Sequence, residues 1–306
     1  MLHAVPSPPL EVPQAPARIV TGLYLRCLRE ANGVLLKEVA AAARVSTSAV
    51  SRWERAESPI PRDALRTLLQ RYGVARKQTE FLVRHMPLQS YGRGQCAPQG
   101  LASRAPHDHW ADVADDEAAA RYIAVMRQAS KVVQFCEVVP AGLRTPAYQN
   151  LMLNPDVCVV PDEPVLGMPS WVHQVPWAAK QQRTVLLDER LLTNGGSQAA
   201  AVAAQLRHLA SLVSAEDPRG GDLVVRILPL SRLLFVHTVG SVTEVSLHGH
   251  RMVVSIGLFP TYETGSRVAQ VVSAGLREAV EAAWSREETY EGLVRAAEAM
   301  ERRAAS

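Results

Sequence analysis

Apolar residues between positions 19 and 86 recur at the spacing of an α-helix, and glycine and proline residues divide this stretch into short segments. Residues 35–56 have the pattern of two short helices joined by a tight turn. The flanking helices are expected at Ile19 to Asn32, Arg62 to Tyr72 and Gln78 to His85. The pattern therefore predicts an all-α domain of five helices.

Beyond residue 112, helical periodicity alternates with short runs of apolar and β-branched residues, which predicts a mixed α/β domain over 112–306. The whole chain is thus expected to be α+β. Prolines in residues 1–16 predict a disordered tail, and glycines and prolines in 88–111 predict a linker, so the first domain spans 17–87. The expected strands are Lys131 to Val139, Thr184 to Asp188, Leu223 to Leu228, Leu233 to Leu247 and Arg251 to Phe259, and the expected helices are one from Asp112, Gln198 to Val213, Ser266 to Ala283 and Arg286 to Arg302.

The second short helix of residues 35–56 has two chemically different faces. Ser46 is a suitable N-cap residue, and Val50 and Trp53 point to one side at helical spacing. The other side carries hydroxyl and guanidinium groups, which suit the major groove of DNA because arginine pairs with guanine and small hydroxyls permit close approach. We expect Thr47, Ser48 and Arg52 to contact base edges, and Lys37, Arg44, Ser51 and Arg55 to lie near phosphates.

The distribution of charge supports this interpretation. Residues 17–87 contain 13 Lys and Arg against 6 Asp and Glu, a net charge of +7, whereas the whole chain has 33 against 30, a net charge of +3. The remainder therefore carries 20 basic and 24 acidic residues, a net charge of −4. Basic charge concentrated on one small domain is typical of a DNA-binding module.

The same stretch resembles the helix-turn-helix domain of the Xre-type regulators. The resemblance covers about residues 17–86 and includes the runs Leu25 to Glu30 and Ser51 to Glu54. It implies that Arg29 and Glu54 form an ion pair between the first helix and the end of the DNA-contacting helix. Arg44 and Ala56 stand where the family usually has glycine, so each is expected at a position that favours a left-handed backbone.

The second domain resembles the actinobacterial domain of unknown function that follows the helix-turn-helix in WhiJ-like regulators. Val139 to Tyr148 corresponds to the signature Val-Pro-Gly-Leu-Leu-Gln-Thr-Pro-x-Tyr, with Ala141, Gly142 and Arg144 as departures. The pieces Leu187 to Leu192, Gln205 to Leu209 and Val225 to Leu230 follow in the same order. The resemblance implies a regulator that often acts beside small partner proteins, and it implies no reaction.

Several classes of protein are not expected from the remaining features. No apolar run has the roughly 18 residues that a membrane span needs, and no basic start leads into an apolar stretch. The four cysteines form no Cys-x-x-Cys pair, which favours free thiols in the cytoplasm. The glycines of residues 92–97 and the histidine pair at His248 and His250 lack the context of a dinucleotide or metal site. We expect no cofactor, no metal and no enzyme activity.

The sequence predicts a cytoplasmic transcriptional regulator that binds double-stranded DNA as a homodimer. The C-terminal domain would supply dimerisation together with a site for a small-molecule ligand or a small partner protein. The main alternative is an antitoxin-like interaction protein that neutralises a small partner and regulates its own gene through the N-terminal domain. An enzyme that the helix-turn-helix only targets to DNA is a further alternative.

Overall fold

The chain has an α+β fold, in which a helical N-terminal region precedes a mixed α/β domain with a seven-stranded sheet. The computed structural model describes residues 14–87, 108–113, 115–152, 168–193, 198–214, 222–231, 233–257 and 259–306. The expected tail therefore lies outside these ranges up to residue 13, as do the expected linker from 88 to 107 and the glycines of residues 92–97. No helix in the described ranges is long and apolar enough to cross a bilayer.

The N-terminal region is built from short helices that bury one apolar face each. Gly33 and Gly73 have φ values of 65° and 76° and follow the ends of the first and fourth helices. The first helix begins at Pro16, inside the segment assigned to the tail, because proline suits the first position of a helix. The helices are α1 (Pro16–Ala31), α2 (Leu36–Ala43), α3 (Thr47–Glu54), α4 (Arg62–Arg71) and α5 (Arg76–His85).

The sheet consists of the strands β1 (His109–Ala111), β2 (Lys131–Cys136), β3 (Gln182–Asp188), β4 (Asp222–Leu228), β5 (Val242–Leu247), β6 (His250–Ile256) and β7 (Pro260–Glu263). Their order in the sheet is β1-β7-β6-β5-β2-β3-β4. The pairs β2–β3 and β3–β4 are parallel, and all other pairs in this sheet are antiparallel.

Helices cover both faces of the sheet, which explains why its strands are apolar on both sides. The helices of this domain are α6 (Asp115–Gln128), α7 (Pro146–Met152), α8 (Ala199–Ser214), α9 (Phe235–Val239), α10 (Arg267–Ala282) and α11 (Arg286–Ala305). Val185 and Leu187 of β3 point to the face covered by α8 and α11, while Leu186 between them points to α10 on the opposite face. The helix α6 lies on the first face, beside the strands β5, β6 and β7.

Two short elements differ from the sequence prediction. Residues 233–247 were expected to form one strand, but α9 occupies the first part and β5 begins only at Val242. The backbone amide of Leu234 donates to Nδ1 of His237, which caps this helix, and Gly240 with φ 75° separates it from the strand. His109–Ala111 was assigned to the linker, but it pairs with β7 as an edge strand.

The two domains share one hydrophobic cluster across their junction. The ring of Tyr24 in α1 lies 5.2 Å from that of Trp171, and its hydroxyl donates to Glu117 of α6 at 2.8 Å. Trp110 of β1, which was expected in the linker, is buried and stacks on Tyr262. The helix-turn-helix domain is therefore packed against the sheet domain and is not joined to it by a linker alone.

A fully buried ion pair lies beneath this junction. Arg121 of α6 donates from Nε and Nη2 to the carboxylate of Asp112, both at 2.7 Å. Its guanidinium also lies 5.0 Å from the centre of the Tyr24 ring. An unpaired charge would be costly at this depth, so the pair holds α6 to the segment after β1. The contact of Arg121 with Tyr24 connects both to α1.

Candidate nucleic-acid interface

The turn between α2 and α3 adopts the geometry of a helix-turn-helix without the usual glycines. Arg44, which follows α2, has φ 54° and ψ 44°, and Ala56, which follows α3, has φ 58°. Left-handed backbone costs roughly 1–2 kcal/mol for a residue with a side chain. The surrounding helices evidently hold both residues in this conformation.

The helix α3 presents its polar face to solvent. The hydroxyl of Ser46 accepts a hydrogen bond from the amide of Ala49 at 3.1 Å, which caps the helix. Val50 and Trp53 are buried against the other helices. Of the residues expected near DNA, Ser51 is partly buried. The others are exposed, namely Lys37, Arg44, Ser46, Thr47, Ser48, Arg52 and Arg55.

The end of α3 is held to α1 by the ion pair between Arg29 and Glu54. Nε of Arg29 donates to Oε1 of Glu54 at 2.6 Å, and Nη2 donates to Oε2 at 2.9 Å. The two side chains are only 11% and 7% exposed. The hydrogen bond to Glu54 raises the pKa of Arg29. This bidentate pair fixes the orientation of α3 relative to α1.

A glycine in α1 permits this close approach, and the sequence analysis did not single it out. A Cβ atom on Gly22 would lie 2.5 Å from the carbonyl oxygen of Trp53 and 3.1 Å from that of Glu54. Any side chain at this position would push α1 away from the end of α3. In the sequence, Gly22 lies seven residues before Arg29, and this spacing of about two helical turns places both on the same face of α1.

The basic residues around α3 are not equivalent. Arg55 forms an exposed ion pair with Glu57, with 2.9 Å between Nε and Oε1. An arginine engaged in this way must exchange the carboxylate for a phosphate before it can contribute to DNA binding. Lys37 and Arg44 lie on α2 and in the turn that precedes α3, so they border the same polar face.

The hairpin between β5 and β6 reaches the helix-turn-helix. Nε2 of His250 donates to the carbonyl oxygen of Arg55 at 3.2 Å. His248, with φ 51°, is partly buried at the tip of this hairpin. The pKa of His248 is lowered to about 4, mainly by burial and in addition by the nearby charges of Arg26, His250 and Arg55. The sheet domain thus contacts the residue that directly follows α3.

Comparison with known families gives two matches. A model described as a helix-turn-helix domain matches residues 21–82. A second model, described as a domain of unknown function (DUF5753), matches residues 119–295, which is more than half of the chain. The chain belongs to the DUF5753 family. Neither the search of curated proteins nor the search of solved structures finds a match.

The two matches correspond to distinct parts of the fold. The helix-turn-helix match begins in α1, ends in α5 and contains every residue that was expected near DNA. The DUF5753 match begins in α6 and ends in α11, so it includes six of the seven strands and leaves β1 before it. The helix-turn-helix indicates DNA binding, whereas the DUF5753 match assigns no function to the sheet domain.

Proposed function

We propose that the chain is a sequence-specific transcriptional regulator of the Xre type, with a C-terminal domain of the kind found in WhiJ-like regulators. The observation that carries this proposal is the exposed face of α3, which lies inside the helix-turn-helix match. We name α3 the recognition helix. The net charge of +7 in residues 17–87 supports it, because basic charge attracts the phosphate backbone.

Each residue of the interface has a proposed role. Thr47, Ser48 and Arg52 contact base edges, because they are exposed on the first two turns of the recognition helix. Ser46 caps the helix and stays close to the DNA surface. Phosphate contacts are assigned to the residues around this face, namely Lys37, Arg44, Ser51 and Arg55.

The proposed regulator acts as a homodimer in the cytoplasm and catalyses no reaction. One recognition helix reads a short half-site, and two-fold related copies would read a near-palindrome. An apolar surface along α10 suits contact with a second copy: Val268 is 56% exposed and Val271 is 44% exposed. Arg267 lies at the start of this helix and Glu281 near its end. In an antiparallel pair of α10 helices, opposite charges would therefore meet.

The proposal is tested by selecting DNA fragments with the purified full-length protein and sequencing them. We expect one enriched motif, and the logarithm of its affinity should fall linearly with that of salt, with a slope near −0.9 per phosphate contacted. A Thr47→Ala, Ser48→Ala, Arg52→Ala variant should lose the motif, whereas Arg295→Ala on α11 should retain it. Absence of an enriched motif, or an affinity independent of salt, would contradict the proposal.

A further inference from the structure

The last turn of the recognition helix carries two of its proposed DNA contacts, but it cannot complete its own hydrogen bonding. The helix has eight residues; Arg52 lies in its last turn and Arg55 is its C-cap residue. An α-helix leaves its last four carbonyl groups without partners inside the helix. In so short a helix these groups are a large share of all its carbonyls, so the end of α3 depends on donors from outside.

The chain that follows α3 supplies donors for part of this end. The amide of Glu57 donates to the carbonyl oxygen of Arg52 at 2.8 Å, and the amide of Ala56 donates to that of Trp53 at 3.1 Å. The left-handed backbone of Ala56 permits this pair of bonds, which is a common way for a helix to end. Among the described residues of the helix-turn-helix domain, no group donates to the carbonyl oxygen of Arg55.

The hairpin between β5 and β6 supplies the missing donor. Nε2 of His250 lies 3.2 Å from the carbonyl oxygen of Arg55. Because a carbonyl oxygen can only accept, this ring nitrogen carries its proton in the contact. A donor at this place also suits the partial negative charge at the C-terminus of a helix. The C-cap carbonyl of the recognition helix is therefore hydrogen-bonded by a residue of the sheet domain.

The turn of this hairpin holds His250 in a defined place. Leu247 pairs with His250 at the end of the two strands, so only His248 and Gly249 form the turn. Both have a positive φ, of 51° and 82°. Positive φ at both central residues is characteristic of the type I′ turn, which continues the right-handed twist of its strands. A two-residue turn of this kind gives the backbone of His250 little freedom to move.

The strand β6 presents His250 on the side of the sheet that packs against the helix-turn-helix. Side chains alternate along a strand, so His250, Met252 and Val254 point to the same face. Met252 and Val254 are buried, and they belong to the hydrophobic cluster that the two domains share. The hydrogen bond to Arg55 therefore extends the buried contact between the domains to the end of the recognition helix.

We propose that His250 is a positioning residue for DNA recognition, because its hydrogen bond caps the recognition helix and holds Arg52 and Arg55 in the orientation that contacts DNA. This role rests on the proposed function. Without the cap the last turn of α3 frays, and the apparent affinity for DNA falls with the fraction of molecules in which this turn is ordered. His250 lies outside residues 21–82, so the sheet domain takes a direct part in setting the affinity for DNA.

The cap itself is tested without DNA, by hydrogen–deuterium exchange of the full-length protein. His250→Ala should raise the exchange rates of the amides of Arg55, Ala56 and Glu57 about fivefold, the factor that one hydrogen bond typically contributes to a local opening equilibrium. The amides of α4 should keep their rates. Unchanged exchange at the end of α3 overturns the proposal. So does an equal rise throughout the N-terminal helices, which would mean general destabilisation.

Variants that remove or keep the donor show whether the cap acts on DNA binding. In titrations of the full-length protein with the selected motif, His250→Ala and His250→Leu should each weaken binding about fivefold. His250→Gln should restore the affinity to within about twofold, because its amide nitrogen can take the place of Nε2, whereas leucine fills a similar volume without a donor. Equal losses with glutamine and leucine would show that the ring only fills space, which overturns the proposal.

His85 provides the matched control. Its Nδ1 lies 2.8 Å from the carbonyl oxygen of Phe81, so it also contacts a helix carbonyl, but in α5, which carries none of the proposed DNA contacts. His85→Ala should leave the DNA affinity and the exchange at the end of α3 unchanged. Faster exchange in His250→Ala without a loss of affinity overturns the role in recognition. Absence of DNA binding by the natural protein would overturn the proposed function, while the exchange rates would still identify the cap.

Discussion

The guanidinium of Arg29 and the carboxylate of Glu54 are matched in position, charge and hydrogen bonding, and both are almost fully buried. Replacing Glu54 with alanine removes both short hydrogen bonds of the buried Arg29 guanidinium, which keeps only the 3.2 Å contact with the partly exposed Glu30 and a longer one to a backbone oxygen. We expect Glu54→Ala to lower the free energy of unfolding by roughly 3–5 kcal/mol, as measured by urea denaturation.

A double-mutant cycle separates this coupling from unrelated losses. The Arg29→Ala, Glu54→Ala variant should be more stable than the sum of the single variants predicts. Arg26→Ala is the matched control, because Arg26 forms an exposed pair with Glu30 in the same helix and its loss should change stability by about 1 kcal/mol or less. Additive effects of Arg29 and Glu54 would show that the pair is not coupled.

Arg52 and Lys37 should affect DNA binding in different ways. Arg52→Ala is expected to weaken binding to the best site by roughly 1–3 kcal/mol and to relax selectivity at one base pair. Lys37→Ala should weaken binding to all sequences about equally, since phosphates carry no sequence information. Titration against the best site and against single-base variants of it makes the comparison. Equal losses on every sequence for Arg52→Ala would assign it to the phosphates.

At the scale of elements, the hairpin between β5 and β6 makes the stability of the folded chain depend on the protonation of His248. The pKa of His248 is about 4 in the folded chain and near 6.5 when exposed, so the unfolded chain binds the extra proton. The folded state should therefore lose stability as pH falls from about 6.5 to about 4. Asparagine tolerates the positive φ of this position and does not titrate, so His248→Asn should reduce this loss.

Carboxylates also titrate in this interval, so the informative quantity is the difference between variants. Urea denaturation of His248→Asn and of the natural chain should diverge below about pH 6.5 and agree above it. His173→Asn is the control, because His173 is exposed. Parallel pH profiles for His248→Asn and the natural chain would mean that burial and the charges of Arg26, His250 and Arg55 do not keep His248 neutral against the opposing charge of Glu57.

The elements that the sequence predicted well are those whose signals are local. Caps, glycine stops and helical periodicity identified α3 and α4, and the mainly apolar, β-branched run from Leu223 to Leu228 identified β4. The short helix α9 was mistaken for a strand because Phe235, Val236 and Val239 favour β-structure, whereas the cap from His237 is visible only in three dimensions.

The residues of the candidate interface, like the helices and strands, were predictable where their signals are local. Ser46 and the exposed face of α3 follow from the sequence of one helix, and the pairing of Arg29 with Glu54 followed from the resemblance. The contact of His250 with Arg55 joins residues 195 positions apart, and no periodicity or motif relates them.

At the scale of the whole molecule, the proposed dimer can be tested through α10. Val271→Glu introduces a charge into the middle of the exposed apolar surface, and it should convert the dimer to a monomer in light scattering of the full-length protein. Arg251→Glu is the control, since Arg251 is exposed on β6 outside this surface. A Val271→Glu protein that remains dimeric would assign self-association to another surface.

The junction through Tyr24, Trp171 and Trp110 has a consequence for the architecture of the operator. Because α1 is packed into the core of the sheet domain, a dimer would hold its two recognition helices at a fixed spacing and a fixed angle. One base pair inserted between the half-sites turns them by about 34–36° relative to each other, since a helical turn of DNA takes about 10–10.5 base pairs. We expect such an insertion to abolish binding in a gel-shift assay, whereas a protein whose DNA-binding domains were attached by flexible linkers would tolerate it.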